Sequence, residues 1–206
     1  PEKMGRAAAE QAHRPLLKLK VTGEGDLERI AAVHRSAPKA RLVVDANEGW
    51  TSKEEAARKI NWLESQGVQF IEQPLPADQW ESMKRVHAES ALPIVADESC
   101  IVPADVDCCA GFFHGINIKL VKCGGLTPAR RMITRARQLG LKVMVGCMTE
   151  STVGISAIAQ LLPMLDYVDM DGALLLAKDI ATGVTIKQGQ CIYAKENGCG
   201  VQLTSP

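Results

Sequence analysis

The sequence predicts a parallel (β/α) barrel. Three observations carry the prediction: β-type runs alternate with longer helical patterns from end to end, the strand-to-strand repeat is roughly 25 residues, and nearly every strand closes on an ionisable side chain. The alternation calls for crossover helices and hence parallel strands. The repeat suits a barrel better than an open doubly wound sheet, and a complete barrel takes ~250 residues, against 206 here.

Residues 1–14 read as the tail of a helix, Met4–His13, in a chain that opens on Pro1 and not on methionine, so one barrel strand is expected upstream. Strands are expected at Leu16–Val21, Arg41–Asp45, Gln69–Glu72, Ile94–Ala96, Gly115–Ile118, Lys142–Val145 and Tyr167–Met170. Helical spacing places helices at Asp26–Ser36, Ser52–Gln66, Ala77–Glu89, Thr127–Leu139 and Ser151–Leu162, with a less periodic stretch at Pro103–Ala110. Asp26, Ser52, Thr127 and Ser151 are candidate N-caps, because a short side-chain oxygen can accept from a free amide one turn on. Pro128 suits a first turn, and Gly67 and Gly140 suit helix exits. From Ala173 onward the pattern changes to short turns and β-like pieces such as Val184–Ile186. The expected division is therefore a barrel over 1–172 and a segment, 173–206, packed outside it.

Composition narrows the function. Twenty-four basic and 24 acidic residues balance, so there is no field to attract nucleic acid or an anionic membrane. A small-molecule substrate fits better. The seven cysteines are odd in number and form no Cys-x-x-Cys pair, which reads as reduced thiols. No apolar run is long enough to span a membrane and residues 1–20 carry no signal-peptide core, so a cytoplasmic location is expected. A homo-oligomer is compatible with all of this.

Barrel enzymes build their sites at the carboxyl ends of strands. Here those ends carry Lys18 and Lys20, Asp45 and Asn47, Glu72, Asp97 and Glu98, Lys119, Glu150, and Asp169 with Asp171. A single acid at a strand end often only caps a helix or pairs with a lysine. Asp45, Glu72 and Asp97 end three successive strands, however, and three converging carboxylates repel one another unless a cation joins them. Magnesium is the expected partner, since it prefers oxygen and needs neither sulfur nor imidazole. Lys18 and Lys20, two apart on a strand, share a face, so each can depress the other's pKa. Lys119 ends a strand four positions further round and is expected across the mouth. Two lysines on opposite sides of a carbon can remove a proton from one face and return it to the other.

Through Leu17-Lys18-Leu19-Lys20, Val44-Asp45-Ala46-Asn47, Ile71-Glu72-Gln73-Pro74, Ala96-Asp97-Glu98-Ser99 and Asn117-Ile118-Lys119, the chain resembles the enolase superfamily and its muconate-lactonizing subgroup. The resemblance implies a modified (β/α)7β barrel of the enolase type, incomplete here because the N-terminal capping domain and first strand are absent. It also implies Mg2+ on Asp45, Glu72 and Asp97, and Lys20 and Lys119 as the acid/base pair. Asn47, Glu98 and Glu150 would support these groups from behind. Gly146-Cys147-Met148-Thr149-Glu150-Ser151 and Asp169-Met170-Asp171-Gly172 look like dipeptide epimerases, where the Asp-x-Asp pair holds the substrate ammonium. Lys18, Cys147, Asp169 and Asp171 are then the expected substrate-binding residues, and the reaction is 1,1-proton transfer through an enediolate. Competing readings are an N-acylamino-acid racemase, an o-succinylbenzoate synthase, a cycloisomerase, or an inactive barrel used for binding.

Overall fold

The computed structural model describes residues 1–204. In chain order the elements are helix α1 (Glu2–Glu10), strand β1 (Leu16–Lys20), α2 (Asp26–Ser36), β2 (Arg41–Asp45), α3 (Lys53–Ser65), β3 (Val68–Glu72), α4 (Trp80–Glu89) and β4 (Ile94–Ala96). After them come α5 (Val106–Cys109), β5 (Gly115–Lys119), α6 (Leu120–Cys123), α7 (Leu126–Gln138), β6 (Lys142–Gly146), α8 (Thr152–Ala159) and β7 (Tyr167–Val168). The chain then forms β8 (Ala181–Thr182), β9 (Thr185–Lys187), β10 (Gln190–Ile192) and β11 (Gln202–Leu203), paired antiparallel as β8 with β11 and β9 with β10. Every expected strand is present. β7 stops at Val168, short of the expected Met170, so Asp169 and Asp171 stand on a loop.

The chain divides into two compact units, residues 1–99 with 109–114, and residues 100–108 with the chain from 115 onward. In the first, β1 to β4 pair in parallel in chain order. The register sets Lys20 opposite Asp45 and Asp45 opposite Glu72, which brings three ionisable strand ends to one level. Leu42, Val43 and Val44 of β2 are all buried, as expected for a parallel strand covered on both faces. Helix α3 turns Ala56, Ile60 and Leu63 inward at helical spacing. Ser52 caps it by accepting from the Glu55 N–H at 3.1 Å, as expected.

Asp26 does not cap α2; Gly25, at φ 68°, is the N-cap. The Asp26 carboxylate turns back and accepts from the Thr22 N–H (3.0 Å), the Gly23 N–H (2.9 Å) and Trp50 Nε1 (3.3 Å). It also pairs with Arg29 at 2.6 Å and with buried Lys59 at 3.1 Å. Burial alone would raise its pKa, but the bonds from Arg29, Thr22 and Lys59 outweigh it and hold the carboxyl below its usual range. The loop that follows Lys20 is thereby tied to the loop that follows Asp45.

In the second unit β5, β6 and β7 pair in parallel in chain order, with Lys119 opposite Gly146. Helix α7 buries Ala129, Met132, Ile133 and Ala136. Its N-cap is Gly125, so Thr127 lies inside the helix and is not the expected cap. Ser151 occupies the N-cap of α8 without a side-chain cap bond; Asp179 accepts from the Thr152 N–H at 2.8 Å instead. Gly67 and Gly140 follow α3 and α7, both at φ 73°, as helix exits require. All seven cysteines are free thiols, and no described helix is long and apolar enough to cross a membrane.

Candidate active site

The first unit gathers the acids. Asp45 and Glu72 are 0% exposed and Asp97 is 1% exposed. Lys18 Nζ lies 3.2 Å from Asp45 Oδ2 and 2.8 Å from Glu72 Oε2. Lys20 Nζ lies 3.1 Å from the same Asp45 oxygen, so the two lysines do share a face. Lys20 also donates to Asn47 Oδ1 at 2.5 Å, and Asn47 Nδ2 donates to Glu98 Oε1 at 3.2 Å. Asn47 thus links Lys20 to Glu98. Burial pushes the Glu72 pKa up to about 7; Lys18 pulls it down, while the charges of Asp45 and Asp97 push it further up. Mutual repulsion among buried carboxylates is what a divalent cation relieves. The donors are hard oxygens, and no sulfur or imidazole stands among these three residues, so the set fits Mg2+.

The loops that carry the acids are strained and densely bonded. Asn47 (φ 43°), Glu48 (φ 61°) and Gln73 (φ 35°) take positive φ without being glycine, a conformation costing roughly 1–2 kcal/mol per residue. Their neighbours hold them there. The Asn47 N–H donates to Asp45 Oδ1 at 3.1 Å, the Glu48 N–H to the Gln73 carbonyl at 2.8 Å, and the Trp50 N–H to the Pro74 carbonyl at 3.1 Å. Glu48 Oε1 in turn accepts from the Ala77 N–H at 2.7 Å.

The second unit holds the remaining expected residues. Lys119 ends β5 and is buried. Cys147 follows β6, and its Sγ and one carboxylate oxygen each of Asp169 and Asp171 lie within 4.8 Å of one another. Burial pushes the Cys147 thiol up to about 11, with the charges of Asp169, Asp171 and Glu150 adding to the rise. The thiol stays protonated at neutral pH and is no nucleophile. Three carboxylates that disfavour a thiolate favour a cation in the same space. A groove of about 810 Å³ lies instead along α7, among Leu126, Arg130, Arg131, Gln160 and Met164, and includes none of these residues.

Two glycines shape this loop pair. A Cβ on Gly172 would sit 2.1 Å from the Met148 carbonyl oxygen and 3.1 Å from Cys147 Sγ, so only glycine lets the Asp169–Asp171 loop close on the loop after β6. A Cβ on Gly154 would sit 1.8 Å from Glu150 Oε2. That carboxylate braces the same loop, since Glu150 Oε1 accepts from the Met148 N–H at 2.9 Å. Residue type alone assigns no role to either glycine or to Gln73, although Gly172 and Gln73 stand inside the motifs. Residue spacing carries no sign of a steric close approach.

Parallel strands joined by helices, with acids and lysines at their carboxyl ends, define the class of domain. The chain belongs to the enolase C-terminal domain-like family, whose model matches residues 3–206, and the fold class expected from the sequence, an incomplete (β/α) barrel of the enolase type, is borne out. It is 57% identical over 189 residues to the L-Ala-D/L-amino acid epimerase of Flavobacterium johnsoniae, covering 92% of this chain and 56% of that protein. It is 35% identical over 190 residues to an N-acetyl-D-glutamate racemase of Pseudoalteromonas sp, covering 92% of this chain and 59% of the relative. Among solved structures it is similar to a dipeptide epimerase of Cytophaga hutchinsonii complexed with Mg and the dipeptide D-Ala-L-Val. That match has a TM-score of 0.92 at 29% identity and covers 99% of this chain and 58% of the other. The chain spans less than two thirds of the length of each.

Proposed function

We propose that the chain is the barrel part of a dipeptide epimerase that inverts the carbon beside the substrate's free carboxylate. The observation that carries this over a racemase of N-acylated amino acids is the pairing of Asp169 and Asp171 beside Cys147. An α-ammonium, present in a dipeptide and absent from an N-acyl amino acid, suits that anionic pair. Epimerase relatives such as that of Flavobacterium johnsoniae support the same reading.

Asp45, Glu72 and Asp97 would hold Mg2+, which supplies positive charge opposite the substrate carboxylate as the Cα proton leaves. Lys20, as a neutral amine, takes the Cα proton and becomes an ammonium. Lys119, as an ammonium, delivers a proton to the opposite face of the enediolate and becomes neutral. Exchange with solvent then returns Lys20 to the amine and Lys119 to the ammonium before the next turnover in the same direction, and the reverse direction exchanges their roles. Lys18 assists Lys20 from the shared Asp45 oxygen, and Asn47 orients Lys20 through its side-chain amide oxygen Oδ1. Residues 173–206 are proposed to pack outside the barrel of residues 1–172, against a capping domain. Exposure of Leu174, Leu175, Ile180 and Leu203 supports that docking.

The test is deuterium uptake at Cα, followed by NMR in heavy water with Mg2+, on this chain joined to a capping domain. Uptake with inversion for L,L-dipeptides, lost in Lys20→Ala and Asp171→Ala, is expected. Uptake restricted to N-acyl amino acids would move the activity to a racemase.

A further inference from the structure

Gln73 follows Glu72 directly and is 0% exposed. Its side-chain amide has every hydrogen-bonding position filled. Oε1 accepts from the Asp97 N–H at 2.9 Å and from the Ser99 N–H at 3.2 Å. Nε2 donates to the Leu75 carbonyl at 2.9 Å and to Ser99 Oγ at 2.8 Å. The backbone is used as fully: the Gln73 N–H donates to the Val95 carbonyl at 2.9 Å, and its carbonyl accepts from the Glu48 N–H at 2.8 Å. One residue therefore ties together the loops after β2, β3 and β4, each of which begins at one of the three buried acids.

The direction of these bonds is what gives Gln73 its reach. Asp97 lies just past β4, where the ladder no longer fixes the chain, and its own N–H is held by Gln73 Oε1. A buried amide with four satisfied bonds leaves little freedom for the groups it joins. The positive φ at Gln73 points the same way, because a strained conformation survives only where several bonds over-determine it. No shorter or apolar side chain can bond both Ser99 and the Asp97 backbone.

We propose that Gln73 is a positioning residue that fixes Asp97 relative to Glu72, and so sets how tightly the three-acid cluster holds a divalent cation. The inference rests on the metal reading given above, and it assigns Gln73 no contact with substrate or metal.

The experiment measures Mg2+ affinity by calorimetric titration, and Mn2+ affinity by electron paramagnetic resonance, on the full chain and its variants, with the thermal midpoint of each metal-free protein recorded alongside. Gln73→Met keeps the length of the side chain and removes all four bonds; it should weaken both ions about 10- to 100-fold, the size typical of groups that orient metal ligands. Ile60→Val, a core truncation in α3, should lower the midpoint while leaving affinity unchanged, which separates positioning from general loosening. Should Gln73→Met fail to fold, Ser99→Ala removes only one of the two Nε2 acceptors, leaving the Leu75 carbonyl, and should weaken binding about threefold. An affinity lost in Asp97→Asn but unchanged in Gln73→Met, or in Ser99→Ala where that variant stands in, overturns this inference alone. Binding that Asp97→Asn does not weaken overturns the metal reading, and this inference with it.

Discussion

The acid cluster of the first unit and the Asp169–Asp171 pair of the second are built on opposite principles. Asp45 and Glu72 are the last residues of hydrogen-bonded strands and are fully buried, so backbone pairing sets their place. Asp169 and Asp171 stand on a loop beyond a two-residue strand, and what seats that loop is a glycine with no room for a Cβ. Charge can be placed either by a hydrogen-bonded ladder or by steric permission. The two placements should fail differently under mutation.

The largest effect is expected in the cluster. Asp97→Asn removes a charged oxygen donor and should cost about 4 kcal/mol of transition-state stabilisation, roughly a thousandfold in kcat/KM. Cα-deuterium exchange rates alongside a Mg2+ titration check it, and unchanged metal affinity would contradict the assignment. Asp171→Asn should act on the other side of the comparison. Losing one charge-assisted bond to the ammonium costs about 1.5–3 kcal/mol, read as a KM for dipeptides raised roughly 10- to 100-fold with Mg2+ affinity intact.

Gly172→Ala sharpens the contrast, because it alters no charge at all. Its Cβ would fall 2.1 Å from the Met148 carbonyl oxygen, and backbone must move. A loss of about 1–3 kcal/mol in stability is expected, together with a raised KM and unchanged metal binding; a KM equal to that of the native protein would show the loop is not seated by this contact. Gly154→Ala should be milder. Its clash is with the end of the flexible Glu150 side chain, which can swing away and forfeit only the Met148 bond, about 1 kcal/mol by denaturant unfolding.

The smallest effect separates the stability of the first unit from its chemistry. The His87 and His114 rings lie 4.2 Å apart, and His114 Nδ1 accepts from the Ile94 N–H at 3.1 Å, at the end of β4 away from Asp97. Burial, and then the neighbouring His87, depress the His114 pKa to about 4. The folded protein thus keeps this ring neutral, while the unfolded chain binds a proton near 6.5. Stability on this account is flat above pH 6.5 and falls as pH drops from there toward 4. Between pH 7 and pH 5 the loss should be about 1 kcal/mol, below the full linkage value because the ring is part-exposed. Urea melts at the two pH values test it, and His114→Gln should show a smaller difference.

How much of this could be read in advance follows from the same contrast. The seven strands, the three acids, both β1 lysines and the Asp-x-Asp pair are visible in the chain because strand periodicity and residue type are local properties. Asp26, Thr127 and Ser151 are reasonable caps by local chemistry. The fold gave Asp26 five other partners, put Thr127 inside its helix and handed the Ser151 position's bond to Asp179, because competing donors arrive from distant segments.

By itself, then, the sequence determined which residues carry charge, how often, and on which face of each strand, since a two-residue repeat in a parallel strand leaves little choice. Only the tertiary structure decided how those groups are held: Gln73 between Glu72 and Asp97, Gly172 against the Met148 carbonyl, Glu150 over Gly154. Each of these depends on contacts between segments far apart in the chain or on a clearance of a few ångströms, and neither is encoded in spacing along it.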